Sequence, residues 1–280
     1  MFDDGDLVIK MKYSRFLHLK EIPDVFVKRH FLPPGNSVQR TYSLTTPSLN
    51  QQKPEKEIGE TISILNTKYS SDDWTNLTPK IQSLVGRNLH RQEYHPLCLI
   101  KQRIVDFIYK KFPSRTKSPL FTVLDNISPV VTVEQNFDSL LVPKDHPSRK
   151  KSDCYYINKS LLLRAHTSAH QAELIRSGLN NFLVAGDVYR RDEIDKTHYP
   201  VFHQVEGVQL CGLHDVFTDE NTASQLRLFE KNFTERTDEK QECHTIDGVM
   251  VMQKRLKDCL IELVRHIFGQ SMFHCRSALW

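Results

Sequence analysis

Glycine is scarce in this chain, at 10 of 280 residues, about half the usual share. That excludes collagen-like repeats, glycine-rich linkers and glycine-rich phosphate loops. No apolar run approaches the roughly 18 residues of a membrane-spanning helix, so that class is excluded too. The six cysteines, at 98, 154, 211, 243, 259 and 275, form no CxxC pair and stand at no zinc-ligand spacing to paired histidines. They read as reduced thiols of a non-secreted protein. The first residues are acidic and carry no secretory signal. No repeat of about 20–50 residues is visible. Neither charge dominates: 38 basic and 34 acidic residues leave +4. Such a balance permits an acidic partner such as RNA without announcing one.

What is present is an ordinary globular composition, 39% hydrophobic and 26% charged. It is long enough to bury a core without disulfides or metals. Residues 1–60 read as a basic N-terminal arm and linker. Lys10, Lys12, Arg15, Lys20, Lys28, Arg29 and Arg40 outnumber Glu21 and Asp24, with Phe16, Leu17, Val25 and Phe26 interleaved. This is the composition of an organelle transit peptide with an acidic start, or of a poorly ordered basic arm. Residues 43–60 are polar, hold two prolines and show no apolar period, as a linker does.

Helical spacing marks 76–85, stopped by Gly86, and more clearly 95–112. There Pro96 suits the first turn, and Leu97, Ile100, Ile104, Phe107 and Ile108 recur on one side. β-like runs follow at 121–124 and 130–133. Residues 160–178 are helical in character, 182–191 and 201–210 β-like, and 226–232 helical. Residues 245–268 make a long amphipathic helix with Gly269 as its cap. Strands occur without a crossover helix between each pair. An α+β fold follows, with helices packed on an antiparallel sheet, rather than a doubly wound parallel one.

Residues 182–210 carry the densest chemistry. Alternate residues of a strand take opposite faces. Phe202, Gln204, Glu206 and Val208 therefore share one face, and Val201, His203, Val205 and Gly207 the other. On the preceding strand Val188, Arg190 and Asp192 share a face. Parity groups a ring, an amide, a carboxylate and a guanidinium. A ring stacks on a base, arginine grips a phosphate, and a carboxylate beside an amide holds an ammonium group. The set describes either a groove for a nucleotide and an amine, or a solvent-facing hairpin with routine cross-strand pairs. Lys196 and His198, in the intervening loop, reach terminal phosphates or are simply solvated.

His166 and His170 stand four apart, the spacing of a zinc helix. The acidic residue of HExxH and a third ligand are missing, so no metal site is expected. Ser168 and Gln171 offer polar groups to a small substrate; alternatively Thr167 or Ser168 caps a helix starting near Ala169. Asp145, His146 and Arg149 make a structural loop in preference to a polar network at an RNA end.

These clusters, in this order, resemble phenylalanine–tRNA ligase of the class II aminoacyl-tRNA synthetases, in its single-chain mitochondrial type. The matching segments are VGRNLHRQEYHPL (85–97), SPVVTVEQNFDSLLVPKDHPSRK (128–150), LLRAHTSAHQ (162–171) and GDVYRRDEIDKTHYPVFHQVEG (186–207). The likeness runs from about residue 72 to residue 269. It implies a class II synthetase-like antiparallel sheet flanked by helices. It also implies a ligase of the mitochondrial matrix that joins phenylalanine to tRNA(Phe) through an adenylate. ATP with Mg2+ is implied as the substrate complex, with no prosthetic group, and the protein as a monomer. Arg190 is implied as the catalytic residue, at the α-phosphate. ATP binding falls to Arg190, Thr197, His198, Tyr199 and Phe202. Substrate binding falls to His166, Ser168, Ala169, His170, Gln171, Gln204, Val205 and Glu206.

The third class II motif, the aromatic lining of the side-chain pocket and a C-terminal anticodon domain find no counterpart. Residues 270–280 read as a divergent tail. The expectation is a partial catalytic domain over 61–269, C-terminally incomplete and missing its later strands. A shortened sheet exposes an unpaired edge and an uncovered apolar face. Instability or aggregation and little ATP–pyrophosphate exchange are expected of this chain alone. The alternative is a non-catalytic RNA-binding or regulatory fragment of the same fold.

Overall fold

The computed structural model describes residues 7–13, 61–114, 116, 118–191, 199–211, 227–232, 234–237 and 240–269. Its centre is a four-stranded sheet in the order β1-β8-β7-β4. Strands β7 (Asn181–Tyr189) and β8 (Val201–Gln209) form the antiparallel hairpin. β4 (Thr122–Leu124) runs parallel to β7 on one side, and β1 (Leu7–Tyr13) runs parallel to β8 on the other. A strand from the N-terminal arm thus lies along β8.

Two helices cover one face of this sheet. α2 (Pro96–Lys111) begins where His95 Nδ1 accepts the Leu97 amide at 3.2 Å and Pro96 sets the first turn. Lys110 and Lys111 lie in its last turn, where cations suit the helix dipole. α5 (Ile246–Phe268) begins at Thr245, whose Oγ accepts the Gly248 amide at 3.0 Å, and ends at Gly269, with φ of 83°. That left-handed conformation suits glycine. Ile104, Ile108 and Phe112 of α2 meet Cys259, Leu263 and Ile267 of α5 over Leu183, Ala185 and Val205 of the hairpin. The buried apolar stripe of α5 thus runs through Cys259, Leu263 and Ile267. Lys111 reaches Glu262 at 2.6 Å across the two helices.

The opposite face, and the far end of β7, pack elsewhere. Phe182, Val184 and Val208 pack on Leu174 of α4 (Gln171–Arg176). Tyr189 joins a cluster with Ile64 of β2 (Thr61–Ile64), Ile81 of α1 (Pro79–Leu84) and Leu163 of β6 (Leu161–Leu163). β2 pairs with β3 (Thr67–Ser70), and β6 with β5 (Val130–Thr132). The short α3 (Val133–Asn136) starts at a capping box between Thr132 and Gln135.

Two sequence expectations change. Residues 160–178 are not one helix: they hold β6, a 3-10 turn over Thr167–His170, and α4. Pairing of Leu161–Leu163 with β5 overrides the helix propensity of three leucines. Residues 227–232 are not helical either; Phe229 bridges to His244 instead. Among the described residues, no helix is long and apolar enough to cross a membrane.

Candidate active site

Val188 stands opposite Phe202, Gly186 opposite Gln204, and Val184 opposite Glu206. The strand alternation puts Phe202, Gln204 and Glu206 on one face, and Arg190 follows β7 directly. The Arg190 guanidinium lies 5.2 Å from the centre of the Phe202 ring. Its Nε donates to the Ala165 carbonyl at 3.0 Å. A cation over a ring face is attracted by the ring quadrupole, at about 0.5–2 kcal/mol. Phe202 is 8% exposed, yet it joins none of the four apolar clusters found among the described residues. One face of the ring meets a guanidinium instead.

The segment between β6 and α4 supplies the other wall. The Thr167 amide donates to Gln204 Oε1 at 3.1 Å. Thr167 Oγ and Ser168 Oγ both donate to Glu206 Oε2, at 3.0 and 2.6 Å. Gln204 and Glu206 are each 1% exposed. Gln204 Nε2 has no hydrogen-bond partner among the described residues. A buried polar atom left so costs about 1–3 kcal/mol, which a ligand accepting from that amide recovers. The carboxylate beside it prefers a cation. The pocket wall therefore suits a ligand with an ammonium group and an adjacent acceptor.

A second buried network holds this wall in place. Arg164 Nε donates to the Asp187 carbonyl at 2.7 Å, and one terminal nitrogen donates to Asp187 Oδ1 at 2.8 Å. The other reaches the Ile127 carbonyl and His170 Nε2, both at 3.1 Å. Tyr189 donates its hydroxyl to Asp187 Oδ2 at 2.5 Å. A guanidinium only donates, so His170 Nε2 is the acceptor and the ring is neutral. Burial, with the Arg164 charge, holds the His170 pKa down to about 3. Burial alone would push the Asp187 carboxyl up, but the Arg164 charge and the Tyr189 hydroxyl outweigh it, and the net shift is downward. Gly186 is required here: a Cβ would stand 2.1 Å from an Arg164 nitrogen.

Arg190, Phe202, Gln204, Glu206 and Ser168 thus come together as the sequence expected. Gln171 is buried at the start of α4, and its Oε1 has no partner among the described residues. His166 stands just before the 3-10 turn. Other expected residues are placed differently. Ala169 lies in the apolar cluster of Val131, Phe137 and Leu162, and Val205 in the core between α2 and α5. Their side chains face packing, so only their backbones remain for a ligand. His170 commits Nε2 to Arg164. Tyr199 lines a cavity of about 20 Å³ with Leu84, Arg87, Asp187 and His203, on the side of β8 opposite Phe202. Burial holds the His203 pKa down to about 4. Thr197 and His198 lie outside the described residues. Arg149 makes the structural loop expected of it, donating to Asp138 Oδ1 at 2.6 Å beneath the Phe137 ring.

Two residues that the sequence reading left out belong to the site's frame, Thr167 and Arg164. Thr167 was visible in its motif only as a helix cap. Arg164 had a usable signal: a lone charge ending an apolar run of three leucines.

Residues 82–240 match the model of the tRNA synthetases class II core domain (F). The chain belongs to that family. It is 51% identical over 226 residues to the mitochondrial phenylalanine–tRNA ligase of Rattus norvegicus, covering 81% of this chain and 48% of that protein. The chloroplastic/mitochondrial phenylalanine–tRNA ligase of Arabidopsis thaliana is 41% identical over 214 residues, covering 76% of this chain and 43% of its own length. The mitochondrial phenylalanine–tRNA ligase of Dictyostelium discoideum is 39% identical over 219 residues, covering 75% and 46%. The chain spans about half the length of these relatives.

Proposed function

We propose that this chain carries the phenylalanine and ATP cleft of a mitochondrial phenylalanine–tRNA ligase, working in the matrix as a monomer. One observation supports the reading most: the buried Glu206 carboxylate, held by the Thr167 and Ser168 hydroxyls beside the unpartnered Gln204 amide. Glu206 takes the ammonium group of phenylalanine. Gln204 Nε2 donates to an oxygen of the same ligand, and Ser168 and Gln171 complete the polar wall.

Phe202 and Arg190 form the nucleotide end. The Phe202 ring lies against adenine, and Arg190 faces the α-phosphate. The loop with Thr197 and His198 serves the outer phosphates, and magnesium enters with ATP. A carboxylate oxygen of phenylalanine attacks the α-phosphorus, the bond to the bridging oxygen breaks, and pyrophosphate leaves. The 2′-hydroxyl of the terminal adenosine of tRNA(Phe) then attacks the acyl carbon, and AMP leaves. Neither step needs a covalent enzyme intermediate. Alignment and stabilisation of the charge growing on phosphate supply the rate.

Calorimetric titration with a non-hydrolysable phenylalanyl-adenylate analogue tests this. Saturable binding is expected, lost on Glu206→Gln and weakened on Arg190→Ala. Equal affinity of all three chains would overturn the assignment. In a full-length relative, the change equivalent to Arg190→Ala is expected to cost adenylate formation about 3 kcal/mol.

A further inference from the structure

His170 closes the 3-10 turn between β6 and α4, and it is 4% exposed. Its Nε2 lies 3.1 Å from a terminal nitrogen of Arg164. That nitrogen also donates to the Ile127 carbonyl, while the rest of the guanidinium is held by the backbone and side chain of Asp187. Arg164 is itself 2% exposed. Its guanidinium cannot turn away from the ring without giving up the buried pairing to Asp187.

A guanidinium has donors and no acceptor, so the lone pair of His170 Nε2 is committed. In a neutral histidine, the bond made at one nitrogen decides which of the two carries the hydrogen. The hydrogen of this ring therefore sits on Nδ1. Burial and the Arg164 charge keep a second proton off Nε2. Nδ1 has no hydrogen-bond partner among the described residues. Unlike Gln204 Nε2 and Gln171 Oε1, it is not sealed from solvent either, so a ligand can reach it. An ammonium group only donates, and such a ring has no acceptor left for it. A carboxylate or phosphate oxygen, by contrast, meets a donor already in place.

We propose that Arg164 is a positioning residue: it fixes His170 with its hydrogen on Nδ1, so that the ring meets an anionic oxygen of the ligand and not its amine. The substrate contact that the resemblance implies for His170 thereby becomes a specific one, donation from Nδ1. The ligand half rests on the proposed cleft; the tautomer rests on Arg164 alone. Carboxylate and phosphate oxygens share this chemistry, and separate probes tell them apart.

Nitrogen NMR of the full chain, labelled at histidine with 15N, tests this at pH 7. The His170 signals are assigned by their loss in His170→Asn. A protonated, pyrrole-type Nδ1 and a pyridine-type Nε2 are expected. The reverse pattern in the parent chain would overturn the tautomer, whether or not any Arg164 variant folds. Arg164→Lys, which also only donates, should keep the pattern, and Arg164→Met should release it to a mixture. A folded Arg164→Met chain with the parent pattern would overturn Arg164 as the cause. Three probes test the ligand half: 3-phenylpropionate has a carboxylate and no amine, 2-phenylethylamine the converse, and AMP a phosphate. A shift of Nδ1 with 3-phenylpropionate would support a carboxylate partner, and a shift with AMP a phosphate. A shift with 2-phenylethylamine alone would overturn the ligand half. By calorimetry, His170→Phe is expected to bind the phenylalanyl-adenylate analogue about fivefold more weakly, the scale of one hydrogen bond. His170→Asn, whose amide nitrogen stands in for Nδ1, should recover most of that loss. Equal affinity of the parent and His170→Phe would overturn the donation. No binding of the analogue by the parent chain would overturn the proposed cleft and the ligand half with it, while the expected tautomer would still support the role of Arg164.

Discussion

Asp187 and Glu206 are carboxylates on neighbouring strands, 3% and 1% exposed, and the protein treats them differently. Asp187 has a fixed cation at 2.8 Å and a phenol on its second oxygen. Its charge is answered from within. Glu206 Oε2 receives two hydroxyls, which bring hydrogen bonds but no charge. Burial of an ion is costly unless it is paired. The Asp187 network meets that condition through Arg164, whereas Glu206 Oε2 is held by the Thr167 and Ser168 hydroxyls. A closed network of this kind is framework; the Glu206 wall is the proposed binding surface.

The widest separation between the two should appear on substitution. Arg164→Met leaves Asp187 buried without its cation and is expected to cost about 3–5 kcal/mol of stability, read from the denaturant midpoint. Glu206→Gln keeps shape and hydrogen bonding and should cost less than about 1 kcal/mol while abolishing amine binding. Equal destabilisation by the two would erase the distinction. Gly186→Ala drives a methyl into the Arg164 guanidinium and should cost about 1–3 kcal/mol, by the same measurement. A loss under 0.5 kcal/mol would mean that the guanidinium shifts freely, against the tight geometry seen.

Acid sharpens the comparison further. His170 and His203 stay neutral in the folded chain down to about pH 3 and about pH 4. In the unfolded chain they take up protons near pH 6.5. Unfolding between those values binds protons, so stability should fall as pH drops below about 6.5, by up to about 1.4 kcal/mol per pH unit for each ring. The Asp187 contribution has the depressed-carboxylate sign: present above the ordinary carboxylate range, lost as pH falls through its lowered folded value. Urea titrations at pH 7, 6 and 5 read the histidine slope, and His203→Asn should remove one ring's share. The smallest effect belongs to the surface. Lys254 and Asp258 pair at 2.5 Å with both side chains largely exposed, and Lys254→Ala should change stability by no more than about 0.5 kcal/mol.

Much of this was legible in the sequence wherever the cause was local. The period-two pattern of β8 placed Phe202, Gln204 and Glu206 together because a pleated strand has no other option. Pro96, Thr245 and Gly269 marked helix ends through backbone chemistry confined to a turn. What escaped was set by distant partners. Leu161–Leu163 is a strand only because Val130–Thr132 lies beside it. Leu7–Tyr13 lies beside β8 only through a pairing between segments far apart in sequence. Ala169 and Val205 sit inside motifs that resemble a binding site, yet their side chains serve the core. A motif marks the backbone that passes a ligand, and parity then decides which side chains see it.

The contact between Arg164 and Gly186 also limits how this chain can change over generations. The guanidinium fills the volume where any other residue at 186 would begin its side chain. The two positions are coupled: a larger residue at 186 presses on the guanidinium, and a smaller one at 164 strands Asp187. A change at 164, 186 or 187 therefore alters what a change at either of the others costs.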